Sequence, residues 1–147
     1  MDATGTTNPT IQAIKHRFYA MRNGIVADTL RRAGAPYRMI FGVNLPHLKE
    51  IAADITPDAA LARELWADTS TRESLLLAPM VMPPAEFTID EARRWLATAP
   101  SAEAIDILCL RLLGRMPYAP ALAAELAASS TASPLLQYAA TRLRSYL

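Results

Sequence analysis

Three short segments repeat along this chain at intervals of about thirty residues: Ala62-Arg63-Glu64-Leu65, Ala92-Arg93-Arg94-Trp95 and Ala123-Ala124-Glu125-Leu126. Each reads as a short helix. Each is followed by a turn with capping residues and then by a second apolar helix. Ser70-Thr71-Arg72-Glu73 has the form of a capping box, in which a hydroxyl accepts from an orphan N–H and the glutamate reaches back to the cap. Ser101 stands alike before Ala102-Glu103, and Ser133-Pro134 before the last apolar stretch. One helix pair cannot bury its apolar face alone, so pairs at a fixed period stack on one another. The expectation is an all-α superhelix, a solenoid of stacked antiparallel helix pairs.

The rest of the chain fits that frame. Asn8-Pro9 reads as a helix start, and Ile11, Ile14, Phe18 and Met21 follow at spacings of three and four. Asn23-Gly24 is a candidate interruption, and Gly34 with Pro36 ends the segment. Tyr37 to Val43 is expected to be a loop or a helical turn, because nothing else in the chain alternates with period two to pair with a strand. The predicted helices run near 9–33, 45–55, 58–67, 71–81, 88–97, 102–113, 118–128 and 134–146. Leu65, Leu76, Ile105, Leu108, Cys109, Leu112, Leu126 and Leu136 are expected to be buried between repeats. Residues 1–8 read as a flexible tail and 9–147 as a single domain.

Composition removes several classes of function. Apolar residues make up 52% and charged residues 20%, a globular balance. The longest apolar run, Ser74 to Ala85, is interrupted by Pro79, Pro83 and Pro84, and is well short of the ~20 residues that span a bilayer. No signal peptide is read at the N-terminus, so a cytoplasmic protein without a membrane partner is expected. Cys109 stands alone, which rules out an internal disulfide and a thiolate metal cluster. His16 and His47 lack ligand-spaced neighbours, so neither a metal nor any other cofactor is expected. The formal net charge is +1, yet residues 1–50 hold Lys15, Arg17, Arg22, Arg31, Arg32, Arg38 and Lys49 against Asp2, Asp28 and Glu50. That bias suits either an acidic partner such as nucleic acid or a solvated basic face.

With Phe41-Gly42-Val43-Asn44-Leu45-Pro46 before a basic helix, and the helix pairs after it, the chain resembles the HEAT-like repeat DNA alkylation repair glycosylases over most of residues 20–143. The resemblance implies a concave solenoid that cradles duplex DNA and excises positively charged alkylated purines without flipping the base into a deep pocket. It also implies an aspartate early in a central helix, a tryptophan four residues before it, an arginine on a later helix and a second aromatic beyond that. The aspartate corresponds to Asp106. Ala102 stands at the tryptophan position, and the arginine position falls near Gln137-Tyr138, where no arginine stands. The second aromatic would fall beyond Leu147.

The residues themselves leave alternatives open. Asp106 lies between Ile105 and Ile107 with no cation at helical spacing. It is held for chemistry, or it finds a distant partner, or it sits near a helix N-terminus where the dipole favours an anion. Arg72, Arg111, Arg115, Arg142 and Arg144 fall on or beside second helices. They would contact successive phosphates, or lie as solvated arginines whose stems cover apolar surface. Trp66 and Trp95 read as core. The functional expectation is a DNA-binding repeat protein with weak or absent alkylpurine glycosylase activity, in which Asp106 would be the catalytic carboxylate and Arg72, Arg111, Arg115 and Arg142 the nucleic-acid contacts. The alternative is a scaffold that holds a protein or peptide in a concave groove, without nucleic-acid function.

Overall fold

Most helix starts in this chain are set by side chains that satisfy orphan N–H groups, and the computed structural model, which describes residues 8–147, shows where each cap falls. Among the described residues all regular structure is helical apart from one isolated bridge. Contacts group the chain into two compact units, the first ending at Met82 and the second beginning at Pro83. The expected tail lies outside the described residues except for Asn8. Asn8 does not cap a helix. Its amide donates to the Thr56 carbonyl (2.8 Å) and its carbonyl accepts from the Thr56 N–H (2.9 Å). The first cap is Thr10, which accepts from Ala13 N–H at 3.1 Å.

The first unit contains α1 (Ile11–Ala20), α2 (Gly24–Arg32), α3 (Leu45–Ala53), α4 (Ala59–Ala67) and α5 (Arg72–Val81). The helical stretch expected over 9–33 is therefore two helices, parted at the candidate interruption Asn23-Gly24. Asn23 divides them: its side chain accepts from Ile25 and Val26 N–H, while its own N–H donates to Phe41 (2.9 Å). Gly42 makes this junction possible. Its φ is +80°, and a Cβ there would collide with the Asn23 carbonyl oxygen. Helix α5 packs against α3 and α4 and is buried along nearly its whole length, from Arg72 through Pro79.

Residues 37–43 form an extended loop, not a helical turn. Met39 N–H donates to Ser70 (2.9 Å) and Met39 accepts from Arg72 N–H (3.1 Å), an isolated parallel bridge to Thr71. The expected capping box at 70–73 is absent as well. Thr71 is the N-cap of α5 and makes no side-chain cap bond. Glu73, fully buried, instead accepts from the N–H groups of Phe41 (3.1 Å), Gly42 (3.0 Å) and Val43 (3.2 Å) and from Arg72 Nη1 (2.7 Å). The buried loop amides must find acceptors, and a carboxylate serves them with charge-assisted bonds.

The second unit contains α6 (Ile89–Thr98), α7 (Ala102–Arg111), α8 (Ala119–Ala128) and α9 (Pro134–Arg144). Helix α9 packs on α6, α7 and α8. Ser101 and Ser133 cap α7 and α9 as their positions predict, at 3.1 and 3.2 Å. The end of the expected helix 102–113 tightens into a 3₁₀ turn at Leu113–Arg115. Trp95 is core, with the Phe87 ring edge-on at 4.9 Å. Ile105, Leu108, Cys109 and Leu112 are buried here, as Leu65 and Leu76 are in the first unit. Leu126 and Leu136 are only half-buried. The buried positions of α8 and α9 are Leu122, Ala123, Ala139, Ala140 and Leu143 instead, with Ala119 at the start of α8.

Candidate nucleic-acid interface

Asp106 occupies the second turn of α7, and α9 supplies its partners. Tyr138, Arg142 and Tyr146 follow one another at intervals of four, so they share one face of that segment. Tyr138 Oη donates to Asp106 Oδ1 at 2.6 Å, and Arg142 Nε donates to the same oxygen at 2.7 Å. Arg142 Nη2 in turn donates to Tyr146 Oη at 2.8 Å, with the guanidinium 5.3 Å from that ring's centre. Gly114 admits Tyr146, since a Cβ at Gly114 would lie 3.1 Å from the tyrosine Cβ. Asp106 and Arg142 are each 36% exposed, so the pair is reachable from solvent.

The electrostatics follow from this contact. The hydrogen bond to Asp106 raises the Tyr138 hydroxyl above its ordinary pKa, because deprotonation would place two anions together. The same carboxylate raises Arg142. Burial, with Asp106 adding to it, pushes the Cys109 thiol up to about 12, so Cys109 is an inert apolar residue.

Of the alternatives left open for Asp106, the distant partner is the one present. The cation is Arg142, one helical turn beyond Gln137-Tyr138. The other arginines are scattered. Arg72 is buried in the first unit, donating to Glu73 and to the Val43 carbonyl (3.2 Å), which departs from a surface phosphate contact. Its position beside a buried carboxylate and a tightly folded loop is the reason. Arg111 is half-buried, and its Nε is buried without a hydrogen-bond partner. Arg115 is exposed and its Nη2 donates to the Arg111 carbonyl at 2.8 Å, closing the end of α7. Arg144 is exposed beyond the cluster. Sequence reasoning missed Tyr138 and Tyr146 as partners, although their spacing around Arg142 was the signal that could have found them.

No group of three or more His, Cys, Asp or Glu side chains among the described residues could hold a metal ion. No helix among them is long and apolar enough to cross a membrane.

The fold is similar to that of a solved structure described as a new family of proteins related to the HEAT-like repeat DNA glycosylases, with affinity for branched DNA structures. The TM-score is 0.82 and the identity 21%, over 92% of this chain. This chain spans 56% of that structure's length. No curated protein matches the chain. The sequence profile described as DNA alkylation repair enzyme matches residues 14–132, most of the chain, and the chain therefore belongs to the DNA alkylation repair enzyme family.

Proposed function

We propose that this protein is a cytoplasmic DNA-binding member of its family, and that it excises alkylated purines weakly or not at all. The observation that carries the reading is the half-exposed Asp106 carboxylate held by Arg142 and Tyr138. Family membership and the relative's described affinity for branched DNA support DNA as the ligand class. Arg111, Arg115, Arg142 and Arg144 supply the cations for phosphate, and Arg72 does not take part. Where an alkylated purine leaves, positive charge grows on the sugar, and Asp106 would stabilise it electrostatically. The same carboxylate already neutralises Arg142, which weakens its field at the sugar. Ala102 offers no aromatic surface to hold the nucleotide, and lost positioning costs rate even where the charged group remains.

The test measures release of methylated purines from alkylated duplex DNA by the wild type and by Asp106→Asn. Slow release that is equal in both, or none, is expected. Robust release that vanishes in Asp106→Asn would overturn the non-catalytic half of the reading. Duplex affinity should be micromolar or weaker at low salt and should fall as salt rises. An interaction indifferent to salt would point instead to a protein or peptide partner.

A further inference from the structure

A groove lies on the first unit, lined by none of Asp106, Tyr138, Arg142 and the other arginines of the second unit. Gln12, Lys15, His16, Tyr19 and Phe41 line a groove of about 390 Å³, within the range of about 300–1,000 Å³ usual for small-ligand clefts. Gln12, Lys15, His16 and Tyr19 sit on one face of α1 at spacings of three and four. Tyr19 is 57% exposed, unusual for a large aromatic side chain. The Arg22 guanidinium stacks on its ring, 3.9 Å from the centre, and Arg22 Nη1 is fixed by the Tyr19 carbonyl at 2.8 Å. Phe41 is half-buried in the wall, tilted against Phe18 at 5.8 Å. Lys15 is paired with Asp68 at 3.0 Å, which fixes the ammonium at the rim and leaves further N–H donors. Among the described residues, no carboxylate lines the groove.

We infer that this groove binds an unpaired nucleotide of DNA, its base stacked on Tyr19 and its phosphate met by Lys15 and Arg22. The chemistry is that of single-strand recognition, in which aromatic faces accept any base and cations track the backbone. A paired base in a duplex has both faces stacked and cannot offer one to Tyr19. The groove therefore selects DNA with unpaired arms, ends or junctions over an uninterrupted duplex. This inference rests on DNA being the ligand, but not on Asp106 or the arginines of the second unit.

The experiment compares a blunt duplex with a forked DNA of equal duplex length that carries 2-aminopurine in one unpaired arm. Binding is followed by anisotropy and by 2-aminopurine fluorescence, for wild type, Tyr19→Ala and Tyr19→Phe. The wild type should prefer the fork by about tenfold, the margin one stacked base supplies, and should quench the 2-aminopurine. Tyr19→Phe should keep both effects. Tyr19→Ala should lose both while its duplex affinity is unchanged; Tyr19 is exposed, so a matching circular dichroism spectrum checks that the variant folds. Duplex binding with no preference for the fork, or a preference and quenching that survive in Tyr19→Ala, overturns the inference and leaves the proposed function standing. Tyr19-dependent fork binding without any duplex binding upholds the inference and overturns the phosphate contacts proposed for duplex on the second unit. No binding of either DNA overturns both.

Discussion

Glu73→Gln keeps the shape of a buried side chain and removes the charge that Arg72 Nη1 and the N–H groups of Phe41, Gly42 and Val43 bond. Breaking a buried pair by neutralising one partner costs about 3–5 kcal/mol. The variant should melt well below wild type, and a melting temperature within a degree of wild type would show that loop 37–43 does not depend on the carboxylate. Asp68 gives a residue-scale test in pH. Burial opposes its ionisation, but the bonds from Lys15, Ser74 and Thr71 outweigh it and hold the carboxyl below its ordinary pKa. A depressed folded-state pKa contributes stability that is present above the unfolded value, about 3.9, and is lost as pH falls through the folded value. Asp68→Asn should therefore be less stable than wild type at pH 7, and the gap should shrink as the pH is taken to 3. A gap that stays constant across that range would rule the linkage out.

At the scale of elements, legibility in the sequence follows distance along the chain. Ser101 and Ser133 are readable as caps because the N–H each one satisfies lies three residues on. Glu73 has the spacing of a cap too, but its donors lie about thirty residues upstream, where sequence pattern carries no information. The same holds for Asp106, whose cation stands on another helix 36 residues away. Core positions on α7 are legible because Ala104 to Leu110 is apolar apart from Asp106, and Ala104, Ile105, Ile107, Leu108 and Cys109 are all buried. Leu126 and Leu136 are not, since the alanine-rich stretch offers two plausible faces and the buried one carries Leu122, Ala139 and Leu143. Leu108→Ala should cost about 2–5 kcal/mol, transfer energy plus a cavity. Leu136→Ala, already half in water, should cost clearly less, and equal losses in urea melts would place Leu136 in the core after all.

For the molecule as a whole, a formal net charge of +1 constrains how DNA can be held. Such a charge gives no long-range field to draw in a polyanion, so affinity must come from local contacts. Each phosphate neutralised releases counterions, and the slope of log K against log salt is about −0.9 per contact. The arginines proposed as contacts in the second unit are Arg111, Arg115, Arg142 and Arg144, so a duplex slope no steeper than about −4 is expected. Reversing an exposed contributor, Arg115→Glu, should flatten the slope by about one or more. Lys49→Glu changes the net charge equally, and Lys49 is exposed on α3 of the first unit, outside the proposed contacts. It should leave the slope unchanged. If the two reversals flatten the slope alike, binding responds to total charge and the arginines of α7 and α9 are not its site. If only Arg115→Glu does so, the phosphate contacts include Arg115, at the end of α7.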